Sequence, residues 1–185
     1  DSKSVESPPH PYPAIWFWPS LSNYALESVR RDPRIQHIVQ DILGNDVRQL
    51  NNQLYFRLPG DGDAFNWHRD NLFRKGMSDF FQPSTDYVQT IIAIDRVDTT
   101  SGGLYFDTAG VDSELEMATK ATLRDAPRME NRPDTVRQYD MSPGDMLVWN
   151  ANTPHASRPN GSERSRMTYM NGFATASGCQ PAVWP

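Results

Sequence analysis

The chain has 185 residues, of which 37% are hydrophobic and 22% charged, and its formal net charge is −5. This composition is typical of one folded globular domain and excludes an intrinsically disordered chain. The acidic balance argues against non-specific nucleic-acid binding, which requires positive charge. A single cysteine excludes an internal disulfide framework and favours a reducing compartment, so we expect a cytoplasmic protein. No apolar run has the length of a membrane span, so we expect no membrane association.

The first 19 residues are rich in proline, and part of this segment reads PPHPYPAIWFWP. Such a density of proline predicts an irregular arm or covering loop. The opening DSKSVESPP lacks a methionine and carries no secretory signal, which indicates a fragment of a longer chain. A helical layer is expected over residues 20–47, with Pro33 in the first turn of its second helix and Gly44 at the end. This helix carries one apolar stripe, formed by Ile35, Ile38, Val39, Ile42 and Leu43.

From residue 48 the apolar period changes from 3.6 to 2, which predicts strands as far as residue 175. In LNNQLYFRL, one face carries Leu50, Asn52, Leu54, Phe56 and Leu58, and the other carries Asn51, Gln53, Tyr55 and Arg57. Further strands are expected within 88–97, 103–108, 135–140, 145–150 and 165–173. Residues 111–134 are polar and aperiodic, and we interpret them as a long excursion between strands. About eight strands after a short helical layer predict a mainly β fold, a sandwich or jelly-roll barrel.

The segment GDAFNWHRDNLF contains a histidine and an aspartate two residues apart, His68 and Asp70. In a strand these two side chains point to the same side, so they can supply two ligands to one metal ion. Non-heme iron(II) oxygenases bind iron through two histidines and one carboxylate. Of the other histidines, His155 is the best third ligand, because it follows the predicted strand DMLVWN. Each residue also has a simpler interpretation, a surface pair for His68 and Asp70 and a structural hydrogen bond for His155.

The residues that follow His155 favour the metal interpretation. Ser157 shares its face by alternation, and the turn PNGS leads into a strand that carries Arg166. If that strand folds back beside His155, the Arg166 guanidinium can hold a dicarboxylate in a two-pronged hydrogen bond. Ser157 would add a hydroxyl to the same carboxylate. Arg164 competes for this role but is expected to lie in the turn.

Several other side chains are open to two interpretations. Tyr55 and Gln53 could reach a cosubstrate or substrate, or they could face solvent. The tryptophans Trp67 and Trp149, and Trp16 and Trp18 in the arm, are expected to be core residues, although the arm pair could also form a lid. Arg69 and Arg74 are expected to be solvated rather than to meet an acidic substrate.

Taken in order, these motifs resemble the phytanoyl-CoA dioxygenase family of Fe(II)- and 2-oxoglutarate-dependent oxygenases. The resemblance extends from about residue 40 to residue 175. It rests on WHRD at 67–70, DRVDTTSGGLYF at 95–106, PGDMLVWN at 143–150, the HASRPNGS segment from His155, and an arginine eleven residues beyond that histidine. Two departures occur outside the expected ligands: Ser101-Gly102-Gly103 replaces the family's usual Asn-Gly-Pro, and DTAG at 107–110 replaces Pro-Gly-Ser-His.

The resemblance implies one oxygenase domain over residues 1–185, with a double-stranded β-helix core at 48–175 interrupted by the insertion 111–134. It implies that His68, Asp70 and His155 bind Fe(II) and form the catalytic triad. It also implies that Arg166 and Ser157 hold the far carboxylate of the cosubstrate 2-oxoglutarate, with Tyr55 and Gln53 as weaker candidates. The co-reactant is O2, and the expected reaction is hydroxylation of an unactivated C–H bond in a small organic molecule. 2-Oxoglutarate is converted to succinate and CO2.

Two alternatives remain at this point. The chain could be a metal-dependent β-barrel enzyme that does not use 2-oxoglutarate, such as an isomerase, or a barrel that binds ligands without turnover. The dicarboxylate clamp at Arg166 and Ser157 argues against the first, and the intact triad argues against the second. Neither the substrate nor the oligomeric state can be predicted from the sequence, and desaturation and cyclisation use the same triad as hydroxylation.

Overall fold

The structure, a computed structural model, describes residues 14–60, 62, 64–73, 86–129 and 133–177. Within these residues, nine strands form two antiparallel sheets with the orders β1-β2-β9-β4-β7 and β3-β8-β5-β6. The strands are β1 (Ala14–Phe17), β2 (Val47–Arg57), β3 (Phe65–His68), β4 (Tyr87–Ala93), β5 (Leu104–Asp107), β6 (Val136–Tyr139), β7 (Met146–Asn150), β8 (His155–Ser157) and β9 (Arg166–Thr175). Inner residues of both sheets line one cavity, so the predicted double-stranded β-helix is confirmed. The predictions for residues 1–13 and for Arg74 lie outside the described residues.

The helical layer consists of α1 (Tyr24–Arg30) and α2 (Pro33–Leu43). Its second helix begins at Pro33 and ends before Gly44, as predicted. This helix buries Ile35 and Val39 against Val88 and Phe173 on the outer face of the five-stranded sheet. The predicted apolar stripe is only partly buried, since Ile38 and Ile42 are 40% and 52% exposed. The sheet covers only part of the stripe and leaves Ile38 and Ile42 in contact with solvent.

The end of the proline-rich arm forms a strand, which corrects the prediction that the whole arm is irregular. The four residues AIWF contain no proline, so their backbone can pair with the edge of β2, from Ala14 opposite Phe56 to Phe17 opposite Gln53. Trp16 and Trp18 are 43% and 37% exposed, so neither is the core residue we expected. Ile15 and Phe17 line the cavity instead.

A β-bulge between Gln49 and Asn51 changes which residues of strand β2 face each side of the sheet. Before the bulge, Val47 packs against the α2 side of the sheet. After the bulge, Asn51, Gln53 and Tyr55 face the cavity, as the predicted alternation requires. Leu50 does not share the face of Leu54, because it packs with Tyr87, Ala151 and Ala174. A bulge places two residues against one on the partner strand, which simple alternation cannot anticipate.

The excursion between β5 and β6 covers the outer face of the four-stranded sheet. Its side chains Leu115, Met117 and Met129 pack against Trp67 and Tyr105. Backbone hydrogen bonds attach it to β3, from Ala118 N to Trp67 O at 2.6 Å and from Asn66 N to Leu123 O at 2.9 Å. The expected core position of Trp67 is therefore confirmed. Among the described residues, no helix has the length and apolar character needed to cross a membrane.

Candidate metal centre and cavity

His68 and His155 are brought together by the pairing of β3 with β8. They are directly opposite in the register, and their ring centroids are 4.2 Å apart. In each ring Nδ1 contacts a backbone carbonyl, Asn66 O at 2.7 Å for His68 and Thr153 O at 3.0 Å for His155. This contact fixes the tautomer and the ring orientation, so Nε2 is the nitrogen of each ring suited to bind a metal.

Asp70 completes the group from outside the strand. The strand β3 ends at His68, and Asp70 begins a 3₁₀ turn that continues to Phe73, so strand alternation is not what brings the two side chains together. Its Oδ2 lies 3.7 Å from His155 Nε2 and accepts a hydrogen bond of 3.0 Å from the Trp149 indole. Ligand atoms of His68, Asp70 and His155 all lie within 4.8 Å of one another, and all three residues are buried.

The electrostatics of this group suit a metal ion. Burial, together with the neighbouring His155, lowers the pKa of His68 to about 3 against the opposing effect of Asp70. Burial also lowers the pKa of His155 to about 4. Both imidazoles are therefore neutral at physiological pH and keep the lone pair that a metal needs. Two neutral imidazoles and one carboxylate form the ligand set of non-heme iron(II) sites, so the residues present fit that ion.

The three residues lie in the wall of a cavity of about 300 Å³ between the sheets. All of the predicted site residues line this cavity: Gln53, Tyr55, His68, Asp70, His155, Ser157 and Arg166. The Tyr55 hydroxyl donates to Gln53 Oε1 at 2.9 Å, and burial raises the pKa of Tyr55 above its ordinary value. Both residues are partly exposed and line the cavity, so their polar groups face its interior and not the outer surface of the sheet.

Arg166 reaches the cavity from a different direction than the sequence indicated. We expected β9 to fold back beside the strand of His155, but β9 lies between β2 and β4 in the other sheet. The residues between Ser157 and Arg166 cross from one sheet to the other. Asn160 ties this crossing to the end of β2 by donating to Arg57 O and Leu58 O. Ser157 and Arg166 thus face the same cavity from opposite sheets.

Two further arginines were not among the predicted site residues: one is the register partner of Arg166, and the other lines the cavity. Arg57 is directly opposite Arg166 in the register of β2 and β9, so both side chains project from the same face, and both residues are buried. Arg57 ends the predicted polar face of β2, so the same alternation that selected Tyr55 could have found it. Arg124 lines the cavity with its guanidinium 3.9 Å from the Phe65 ring centroid. It lies in the aperiodic excursion, where the sequence pattern carries no positional signal.

Trp149 has two roles, of which the sequence predicted one. It is buried in the hydrophobic cluster with Phe106 and Ile91, as expected of a core tryptophan. It also lines the cavity and holds the Asp70 carboxylate through its indole N–H. Arg69, expected to be solvated, donates from Nη1 to Asn152 O at 2.7 Å and is half-buried.

The fold and site define a double-stranded β-helix with a candidate iron centre, and the sequence profile of phytanoyl-CoA dioxygenase (PhyH) matches residues 21–168. The chain belongs to the phytanoyl-CoA dioxygenase family. The predicted resemblance is therefore confirmed. No curated protein sequence matches the chain.

Solved structures share the fold at low sequence identity. EctD from S. alaskensis, with 2-oxoglutarate and 5-hydroxyectoine, is 15% identical with a TM-score of 0.72, and the match covers 89% of this chain and 57% of EctD. EvdO2 from Micromonospora carbonacea var. aurantiaca, complexed with 2-oxoglutarate, is 18% identical with a TM-score of 0.66, covering 89% and 68%. The non-heme monooxygenase ThoJ, as a nickel complex, is 17% identical with a TM-score of 0.67, covering 88% and 58%. The chain thus spans less than two thirds of the length of ThoJ and EctD.

Proposed function

We propose that this protein is an Fe(II)- and 2-oxoglutarate-dependent dioxygenase that hydroxylates an unactivated C–H bond of a small organic molecule. The balanced reaction converts substrate, O2 and 2-oxoglutarate into hydroxylated substrate, succinate and CO2. One observation carries the proposal: a buried two-histidine, one-carboxylate group shares a single cavity with the buried Arg166 and Ser157. Arginine and serine together suit the far carboxylate of a dicarboxylic acid, which a cofactor-free binding barrel does not require.

His68, Asp70 and His155 would hold Fe(II), and the bound iron with 2-oxoglutarate would supply the activation of O2. The protein fixes the positions of the metal ligands and excludes water. Trp149 fixes one oxygen of Asp70, and the carbonyls of Asn66 and Thr153 fix the rings of the two histidines. Arg166 and Ser157 would set the position of the dicarboxylate, and apolar walls such as Phe106 limit water near the reacting C–H bond.

The presence of Asp70 supports hydroxylation over halogenation. Halogenases related to this family have a small residue at the carboxylate position, which leaves a place for a halide. Here the position carries a buried carboxylate that already accepts a hydrogen bond from Trp149. With the carboxylate position occupied by Asp70, we expect hydroxylation and not halogenation.

An anaerobic titration tests the proposal. Adding Fe(II) and 2-oxoglutarate to the metal-free protein should give a weak visible charge-transfer band, and admission of O2 should then release succinate. Zn(II) in place of Fe(II) should give no band, because its d shell is filled. Iron binding with no band and no succinate would favour a 2-oxoglutarate-independent enzyme. A protein that binds no iron would favour a non-catalytic barrel.

Gly102 provides a prediction about how Arg166 is held. The carbonyl of Gly102 accepts a hydrogen bond from Arg166 Nη1, and the residue has a φ of +91°. A Cβ at this position would lie 2.6 Å from the backbone oxygen of Arg158. We expect Gly102→Ala to lower the free energy of unfolding by about 2 kcal/mol and to weaken 2-oxoglutarate binding, since the strained turn shifts the Arg166 partner. Thermal unfolding and the 2-oxoglutarate dissociation constant measure the two effects.

Gly144 offers the matched control for this substitution. It has a similar φ of +94°, but an added Cβ would have no atom within 4 Å. Gly144→Ala should therefore share part of the destabilisation and leave 2-oxoglutarate affinity unchanged. Equal loss of affinity in both variants would show that the effect comes from general destabilisation and not from Arg166.

A further inference from the structure

A row of three residues crosses the cavity face of the five-stranded sheet at the end distant from Arg166. In the register, Asn51 on β2 and Gln89 on β4 both lie directly opposite Gly172 on β9. Residues directly opposite in antiparallel strands project from the same face. The two amide side chains therefore flank a position that carries no side chain, and both line the cavity.

Three oxygen atoms converge on the space above Gly172. A Cβ at this position would lie 2.6 Å from Asn51 Oδ1, 2.7 Å from Gln89 Oε1 and 2.8 Å from the Tyr87 hydroxyl. Strand geometry at Gly172 does not itself require glycine, so what excludes a side chain here is the presence of these three groups. We name Asn51, Tyr87 and Gln89, with Gly172 as the floor, the amide slot.

Two of these oxygens are buried acceptors that no donor of the described residues reaches. Asn51 Nδ2 donates to the Tyr87 hydroxyl at 3.2 Å, which leaves its Oδ1 directed into the slot. Within the described part of the chain, neither Asn51 Oδ1 nor Gln89 Oε1 has a hydrogen-bond partner. The residues are 9% and 2% exposed, so water solvates them poorly. Buried polar atoms in native proteins are nearly always satisfied, and the exceptions call for an explanation such as a ligand.

The location of the amide slot separates it from the expected cosubstrate position. Gly172 is six positions beyond Arg166 on β9, a distance of about 20 Å along a strand. The row continues from Gln89 to Trp149, its register partner on β7, which holds Asp70. The slot thus lies near the candidate iron ligands but at the opposite end of the sheet from the Arg166 clamp.

We propose that the amide slot binds a hydrogen-bond donor of the primary substrate, an amino, amide or hydroxyl group, and so selects the substrate class. This inference rests on the proposed function, because it assigns the substrate end of the same cavity. Two carbonyl oxygens and a hydroxyl can accept from an N–H or O–H group. The two amide oxygens repel a carboxylate or phosphate, whose oxygens are also acceptors. Arg124, which stacks on Phe65 beside Tyr55, belongs to a different part of the cavity wall.

Matched variants distinguish a binding slot from a structural polar cluster. Asn51→Leu and Gln89→Met preserve side-chain shape and remove the unsatisfied oxygens, so thermal stability should be unchanged or higher. The neighbouring Asn52 is the control. It is fully buried on the opposite face and is satisfied by Tyr169, Asn171 and the Ser20 backbone N–H. Asn52→Leu should lower the melting temperature.

Three five-carbon probes test the chemistry: 1-pentylamine, 1-pentanol and pentanoate. Titrated into the Zn(II)- and 2-oxoglutarate-loaded protein, the amine and the alcohol should bind at least about tenfold more tightly than pentanoate, as expected for one buried hydrogen bond. Asn51→Leu and Gln89→Met should abolish this preference, whereas Asn52→Leu should retain it. Gly172→Ala, which displaces the three oxygens without changing their identity, should reduce binding of the amine and alcohol.

Several results would overturn the proposal: pentanoate binding as tightly as the amine, no binding of any probe, or loss of stability in Asn51→Leu equal to that in Asn52→Leu. The iron and 2-oxoglutarate band recorded on the same proteins separates the two proposals. A normal band without probe selectivity rejects the amide slot alone. Probe selectivity without a band rejects the oxygenase function and keeps the slot.

Discussion

Asp70→Ala is expected to abolish the iron and 2-oxoglutarate band and to weaken Fe(II) binding by at least about 100-fold. Removal of even an outer partner of a metal ligand costs about 10- to 100-fold in affinity, and Asp70 would be a direct ligand and the only anionic one of the three. The two histidines that remain are neutral, because burial lowers the pKa of both. Anaerobic titration with Fe(II), followed by calorimetry with Co(II) as an air-stable substitute, measures the loss.

Two further variants make the Asp70 result specific. Trp149→Phe keeps an aromatic ring in the hydrophobic cluster and removes the indole N–H that binds Asp70 Oδ2. We expect an intermediate loss of about 10-fold in metal affinity. Asp41→Ala removes an exposed carboxylate on α2 and should leave metal binding unchanged. Iron binding in Asp70→Ala equal to that of the unmodified protein would contradict the assignment of the triad.

Arg166→Ala should weaken 2-oxoglutarate binding by roughly 150-fold while iron binding is retained. Breaking a buried ion pair by removing one partner costs about 3 kcal/mol or more, and Arg166 is 3% exposed. The loss is limited by Arg57, which lies opposite Arg166 and keeps a second positive charge on the same face. The band should therefore reappear at high 2-oxoglutarate concentration.

The control for Arg166 is the arginine two residues earlier. Arg164 is exposed, and its Nη2 donates to Asp98 Oδ2 at 3.0 Å in the turn after β4. Arg164→Ala should bind 2-oxoglutarate as the unmodified protein does. Arg166→Lys keeps the charge but loses the planar fork, so it should recover only part of the affinity. Parallel loss of iron and 2-oxoglutarate in Arg166→Ala would contradict a dedicated cosubstrate role.

Local patterns in the sequence were sufficient for the candidate triad and for most strands. Alternation of apolar and polar residues identified the cavity face of β2, and the position of His155 after a strand selected it as the third ligand, which the structure places opposite His68. Both signals depend only on neighbouring residues along the chain. Strand alternation also grouped His68 with Asp70, and the two side chains do lie together. The cause is different, since Asp70 lies in a 3₁₀ turn and not in the strand.

Features that depend on pairing between distant strands could not be predicted. The sequence left open which sheet receives β9, so Arg166 was expected beside the His155 strand and not opposite it. Gln89 is the one amide side chain in the largely apolar and buried strand β4, and this contrast was a usable signal. Its meaning appears only when Gly172 and Asn51 are placed in the same row.

The bulge in β2 has a consequence for comparing and recombining members of this family. Without the bulge, Val47 and Asn51 would project from the same face of the sheet. With it, Val47 faces α2 and Asn51 faces the cavity. In a chimera that lacks one residue between Val47 and Asn51, Val47 still packs against α2. The same deletion would make Asn51, Gln53 and Tyr55 all point away from the cavity. Residue count in this short segment therefore matters more to the site than residue identity.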